Sequence, residues 1–205
     1  MGEILDALDE ADLEEETIVI YTSDHGDFVG NHGMVEKAAA GHNVYEDILN
    51  IPLIIKIPGK TISGRRTAEL VTLADVLPTL IKLLGLEVPE LAYPIQGASM
   101  VDMILNNGSM DRSYIVSESW SQATVITENF KLGIMLDPTE VHRDWDYREF
   151  GDMFFDRRKD PLEITNRFGD IDYQDEINTL RGYYEEYITN TPATGKDELV
   201  SQKRK

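Results

Sequence analysis

Asp24 and His25 stand side by side in the pentad Thr22-Ser23-Asp24-His25-Gly26, directly after the apolar run Ile18-Val19-Ile20-Tyr21. A carboxylate and an imidazole at the carboxyl end of a strand are two metal-capable donors at the place where α/β proteins build their sites. Hard cations prefer the carboxylate oxygen, and the imidazole widens the choice towards manganese, zinc or iron, so the pair does not select its metal. Two donors make only part of a shell, and a plainer reading stays open in which Asp24 caps a turn and His25 makes a hydrogen bond. Lys37, thirteen residues after Asp24, is the next candidate. An ammonium in such a pocket can bind an anionic ester and neutralise charge on the leaving oxygen; the competing reading is a solvated surface lysine.

These residues lie in a long connection, 23–50, interrupted by Gly26, Gly30, Gly33 and Gly41 and holding three of the four histidines, His25, His32 and His42. Connections of that size in compact domains are functional or disordered, and the clustered chemistry favours function. His32 and His42 are expected to make loop hydrogen bonds. The connection is flanked by two apolar, β-branched runs, Ile18–Thr22 and Ile51–Ile57, which read as parallel strands covered on both faces. Residues 2–12 read as a surface helix with Ile4, Leu5 and Leu8 on one stripe. A stronger helix is expected over 67–84, with Leu73, Val76, Leu77, Leu80, Ile81 and Leu84 as its apolar face. Its start is either a Thr72/Asp75 capping box or Asp75 as the cap with Pro78 in the first turn, and Gly85 stops it.

After Asn106-Asn107-Gly108 the texture changes to short β-prone runs at 113–118, 124–127, 130–136 and 152–155, which predict an antiparallel sheet. Ile177, Leu180, Tyr184 and Ile188 predict a helix packed on it, followed by a frayed polar tail from Thr191. The expected units are residues 1–108 and 109–205.

Composition limits the partners. The 205 residues carry 19 basic against 38 acidic side chains, a net charge of −19, which argues against nucleic acid or an anionic membrane surface as the binding partner. An anionic substrate would then need a metal ion or a lysine in the pocket. There is no Cys, so disulfide and thiol chemistry are absent. No apolar run is long enough to span a membrane and Met1 is followed by an acidic amphipathic stretch, so no signal peptide is visible and localisation stays unassigned.

The stretch Thr17 to Gly59, TIVIYTSDHGDFVGNHGMVEKAAAGHNVYEDILNIPLIIKIPG, resembles the sulfatase family of the alkaline phosphatase superfamily. It has that family's strand ending in TSDHG, its G-x-H-G turn at Gly30, His32 and Gly33, its lysine at Lys37, its Tyr-Glu at Tyr45 and Glu46, and its Pro-Leu-Ile strand from Pro52 and Leu53. LADVLPTLIKLLGLEVPE at 73–90 followed by Gln96-Gly97, and the closing turn Asp160, Pro161, Glu163 and Asn166 within MFFDRRKDPLEITNRF at 153–168, look like the same family.

The resemblance implies an α/β fold, part of an alkaline-phosphatase-like α/β/α sandwich, with a C-terminal antiparallel sheet and packed helix. It implies that Asp24 and His25 complete a divalent metal site, with Ca2+ as the usual ion, and that Lys37 contacts the sulfate. A related phosphodiesterase or phosphonate monoester hydrolase, with Mn2+ or Zn2+, is the alternative enzyme. A non-catalytic assembly module is the alternative of another class. The nucleophile motif C/S-x-P-x-R, whose Cys or Ser becomes formylglycine, is absent from the 205 residues. The chain therefore looks like the C-terminal portion of a longer enzyme, itself periplasmic or secreted, and is expected to be inactive alone. An exposed sheet edge or apolar face would make it a homo-oligomer. The substrate expected for the complete enzyme is a sulfated small molecule or glycan. Residues 138–147, with His142, Arg143 and Trp145, are either a substrate contact or a solvated hairpin.

Overall fold

The computed structural model describes residues 1–37, 44–88, 94–119, 122–136, 141–142, 145–146 and 151–191. Its best-buried part is the four-stranded antiparallel sheet formed by β3 (Ile115–Ser119), β4 (Gln122–Ile126), β5 (Phe130–Met135) and β8 (Met153–Asp156), in the order β3-β4-β5-β8. The register places Val125 opposite Leu132 and Leu132 opposite Phe154. Side chains alternate across a strand, so one face of the sheet presents Ala123, Val125, Leu132, Ile134 and Phe154. Onto it the helix α5 (Gln174–Asn190) lays Ile177, Leu180 and Tyr184. Those three positions share one helical stripe, and burying each contributes about 1.5–3 kcal/mol. The expected sheet and packed helix are both present, within a residue or two at each end.

The second face of the sheet is covered as well, by Val44 and Tyr45 against Met153 and Phe155. A Cβ on Gly133 would lie 2.4 Å from Val44 Cγ1, so a glycine is what allows this close approach. The hairpin reading of 138–147 is met in the backbone: β6 (Val141–His142) pairs antiparallel with β7 (Trp145–Asp146). Pro138 and Arg143 lie outside the described residues, as do His42 and the tail after Thr191.

The first part of the chain departs from expectation in two places. The strands β1 (Val19–Thr22) and β2 (Leu53–Lys56) pair with each other, but antiparallel, with Val19 opposite Lys56 and Thr22 opposite Leu53. They are also not covered on both faces, since Tyr21 is 46% and Ile54 62% exposed. Continuous apolarity says that a strand avoids water on both sides; it does not say which neighbour runs beside it or in which direction.

The second departure is the helix expected over 67–84. Regular helix α3 begins only at Val76 and runs to Leu84, preceded by a single 3-10 turn at Leu73–Asp75. Thr72 is extended, at φ −129° and ψ 163°, and the Thr72/Asp75 capping box closes at that point. The capping box opens the 3-10 turn, Asp75 stands at the N-cap position of α3 with Pro78 in the first turn but makes no side-chain capping bond there, and Gly85 ends the helix in the left-handed region at φ 62°. Leu77 and Leu84 are 55% and 56% exposed, so the apolar face is only half covered. The N-terminal helix α1 (Gly2–Glu10) forms as expected and buries no residue.

Asp75 is a hub rather than only a cap. Fully buried, it accepts hydrogen bonds from Thr72 N (2.8 Å) and Ala98 N (2.7 Å), and from both terminal nitrogens of Arg112 (2.9 and 3.0 Å). One turn on, the Thr79 hydroxyl donates to Asp75 O and accepts from Met100 N, which opens the short helix α4 (Val101–Asn106). Gly97 stands at φ +84°, where a Cβ would lie 2.4 Å from Ala74 O. The Gln96-Gly97 pair is therefore a place where the backbone must both turn left-handed and press against the 72–75 turn.

Candidate functional site

Asp24 and His25 leave the end of β1, and the backbone beyond them is locked by local hydrogen bonds. Ser23 Oγ donates to His25 O (2.7 Å), and His25 N donates to Asp24 Oδ1 (3.0 Å). Gly26 N donates to Ile48 O (2.9 Å), on the short helix α2 (Glu46–Leu49). A Cβ on Gly26 would stand 1.8 Å from Asp47 O, so this glycine is required for the loop to seat on α2. The loop then turns at Asp27, whose carboxylate accepts from Val29 N, and returns through the bond from Phe28 N to Glu36 O (2.9 Å). That return brings Lys37 back beside the strand end.

The His25 ring is oriented. Its Nδ1 lies 2.7 Å from Gly26 O, and since a carbonyl only accepts, Nδ1 carries a proton there; in the neutral ring Nε2 then keeps its lone pair. Nε2 is 3.6 Å from Asp24 Oδ2. Two donors bound at about 2.0–2.5 Å to one cation and at right angles lie about 2.8–3.5 Å apart, so at 3.6 Å the pair stands just beyond the spacing of adjacent positions in one metal shell. A ring nitrogen fixed by a backbone carbonyl while the other faces a cation is the usual arrangement for a metal-binding imidazole. The Asp24 side chain is 85% exposed, and its own backbone N–H, then the neighbouring His25 and Lys37, hold its carboxyl below the usual carboxylate range. Among the described residues no group of three or more His, Cys, Asp or Glu is gathered for a metal.

Asp24, His25 and Lys37 line one cleft of about 1210 Å³, together with Arg65, Arg66 and Arg157. The wall carries four cations, Lys37, Arg65, Arg66 and Arg157, among five carboxylates, Asp24, Glu46, Glu69, Glu118 and Glu128, so the cleft is mixed in charge rather than a cationic patch. Arg65 is engaged with Met103 O and Ile104 O, and Arg157 Nη2 pairs with Glu46 at 2.9 Å. His32 is in a different role. Its ring stacks on Tyr45 at 3.9 Å, meets Phe28 edge-on, and places Nε2 3.4 Å from Asp47 Oδ2. It packs the loop onto α2 through these ring contacts and its approach to Asp47.

Sequence reasoning missed a second set of residues. Lys131, fully buried on β5, lies 2.7 Å from Glu46 Oε2 and 2.5 Å from Glu163 Oε1. Glu163 is itself buried; its Oε2 accepts from Glu46 N at 2.7 Å, while its Oε1 meets Lys131 as an ion pair without an aligned hydrogen bond. Burial pushes the Glu46 carboxyl up, but Lys131 and Arg157 outweigh it and hold the group below the usual range. The other residues of the closing turn are structural too. Asn166 Oδ1 accepts from Phe154 N and Phe168 N, its Nδ2 donates to Asp152 O, and Asp160 accepts from Thr165 N.

The fold is α/β and alkaline-phosphatase-like, and solved structures of that kind match this one. A structure described as in complex with its substrate D-glucosamine-2-N,6-O-disulfate superposes with a TM-score of 0.75 at 26% identity, covering 96% of this chain and 39% of that one. The phosphonate monoester hydrolase of Agrobacterium radiobacter superposes with a TM-score of 0.69 at 25% identity, covering 92% of this chain and 37% of that one.

Residues 1–86 match the family model described as Sulfatase. The arylsulfatase of Clostridium perfringens is 29% identical over 188 residues, 88% of this chain and 35% of the relative. An N-acetylglucosamine-6-O-sulfatase of Bacteroides thetaiotaomicron is 28% identical over 214 residues, 94% of this chain and 34% of the relative. The chain is a relative of the sulfatases, within the alkaline phosphatase superfamily. It spans about a third of the length of these curated relatives.

Proposed function

We propose that this chain supplies one half of a sulfate-ester hydrolase site. Asp24 and His25 hold a divalent metal, and Lys37 contacts the sulfate. The observation that carries the reading is the shared cleft wall, where His25 Nε2 and Asp24 Oδ2 stand 3.6 Å apart beside Lys37. A bound Ca2+, the ion the family resemblance implies, would act as a Lewis acid on a sulfate oxygen. Lys37 neutralises the anionic group and stabilises charge on the leaving oxygen. Gly26 O keeps the His25 Nδ1 proton in place so that Nε2 stays a lone-pair donor. The relatives bearing sulfated amino-sugar names support a sulfated small molecule or glycan as substrate.

On this reading the nucleophile comes from outside these residues, because no C/S-x-P-x-R motif occurs in the sequence, and the described residues gather no third metal ligand. The purified chain alone should therefore not hydrolyse a chromogenic aryl sulfate. Hydrolysis above a Lys37→Ala control would overturn that. The half-shell should bind Ca2+ weakly, in a way lost in Asp24→Asn; no binding at millimolar Ca2+ or Mn2+ by calorimetry favours a non-catalytic assembly module instead.

The likeness to a phosphonate monoester hydrolase favours one second reading, phosphoryl-ester chemistry with Mn2+ or Zn2+. It predicts clear preference for those ions over Ca2+ in the same titration. The uncovered β1 and β2 surface and the half-exposed α3 face support self-association. Light scattering showing a monomer at micromolar concentration would refute this. Division into units 1–108 and 109–205 is part of the same proposal, and limited proteolysis near Asn107-Gly108 tests it.

A further inference from the structure

The buried ion cluster and the strand-end pair are joined by an unbroken path of contacts. On β5, Lys131 pairs with Glu46 and Glu163, and Glu163 also accepts the backbone N–H of Glu46, at the first residue of α2. Two residues along α2, Ile48 O accepts from Gly26 N, and Asp47 O is so close that only a glycine fits at position 26. Asp47 also receives Asn31 Nδ2 (2.5 Å) and faces His32, so both arms of the loop are tied to the same helix. Gly26 O in turn receives His25 Nδ1.

A helix of four residues has little stability of its own, so its placement depends on tertiary anchors. Glu46 and Glu163 are 117 residues apart, and Lys131 is 85 residues from Glu46. Burying Lys131 and Glu163, with Glu46 half-buried beside them, is costly unless they are well paired, and replacing such clusters by apolar residues is often neutral for stability. A role in fixing geometry explains the cluster better than a role in stability alone. The backbone at Glu163 agrees: it sits at φ 55°, a strained conformation for a side-chain-bearing residue, which the surrounding bonds must hold.

We infer that the Lys131–Glu163–Glu46 cluster is the positioning element for His25, acting through α2 and Gly26. This deepens the reading of His25 as a metal donor and rests on it for its purpose, but the test needs no metal. The tautomer of His25 is read by long-range 1H–15N NMR on metal-free protein at about pH 8, above the ordinary imidazole range. Hydrogen exchange at the Gly26 amide is followed alongside.

Wild type is expected to show the Nδ1–H tautomer. Lys131→Met and Glu163→Gln are expected to lose its dominance and to speed Gly26 exchange about tenfold or more. Ala123 and Leu132 in the sheet should stay protected, and Lys131→Arg should restore part of the effect. Gly26→Ala breaks the path without touching the cluster and should give the same tautomer change; with Glu163→Gln it decides the matter if Lys131→Met does not fold. An Nε2–H tautomer in wild type, or an unchanged His25 and Gly26 in folded variants, overturns the inference. Failure of metal to bind wild-type protein would instead count only against the metal reading.

Discussion

Asp75→Asn is the sharpest test of how the first part of the chain is held. Four donors point at the two carboxylate oxygens of Asp75: Thr72 N, Ala98 N and the two terminal nitrogens of Arg112, all between 2.7 and 3.0 Å. An amide of the same shape offers one acceptor and places an NH2 group against donors, which leaves Arg112 without its charge partner. Breaking a buried ion pair by removing one member costs about 3–5 kcal/mol. The Arg112 side chain is 19% exposed, so water relieves part of this and the lower end, about 3 kcal/mol, applies. For a chain of this size each kcal/mol lowers Tm by about 2–4 °C, giving a fall of about 6–12 °C. Thermal unfolding by circular dichroism reads it. Arg112→Met should cost at least as much, because it leaves the fully buried Asp75 carboxylate with backbone N–H groups but no cation, and a double-mutant cycle should give a coupling of about 1–3 kcal/mol. A Tm fall under about 3 °C for Asp75→Asn, or no coupling, would refute the hub.

Other consequences are as specific. Gly97→Ala should destabilise by about 2 kcal/mol or more, through a left-handed backbone and a Cβ 2.4 Å from Ala74 O; a denaturant midpoint equal to wild type would contradict this. Lys37→Ala should leave Tm within about 1–2 °C, because the side chain is exposed and its role is towards substrate; a large loss would mean that it holds the loop. Burial pushes the carboxyls of Glu46 and Asp156 up, but their cationic and hydrogen-bonding partners hold both below their ordinary values. A depressed folded-state value gives stability that is present above the unfolded value and lost as pH falls. Tm should hold down to about pH 5 and decline below about pH 4.5, and less steeply in Glu46→Gln; an identical acid profile would disprove the pairing.

Where one face of an element meets one neighbour, the sequence was legible. Ile177, Leu180 and Tyr184 lie on one stripe and pack where that stripe predicts. The Thr72/Asp75 box marks the start of the helical segment, while the period expected from residue 67 extends across residues that are not helical, the 3-10 turn starting at Leu73 and regular helix at Val76. The pairing of β1 with β2 was not legible, because an apolar strand carries no record of its neighbour's direction. Nor was Lys131. In FKLGIM the apolar residues Phe130, Leu132 and Ile134 take one face, so the lysine between them reads as solvated. It is buried because Val44 and Tyr45, more than eighty residues earlier, cover the second face, a contact no local pattern encodes. The signature residues Glu46, Glu163 and Asn166 carried the resemblance, but their work as anchors between distant segments appears only in three dimensions.

Asp24 and His25 are proposed to hold a metal ion together at the wall of the cleft they share with Lys37. Paramagnetic broadening by Mn2+ tests it directly, because it detects weak binding and locates it. Titration of the 15N-labelled chain should broaden the Asp24, His25 and Gly26 signals first, with the effect abolished in Asp24→Asn and reversed by excess Ca2+. Uniform broadening over the acidic surface, or none at His25 at millimolar Mn2+, would contradict the account.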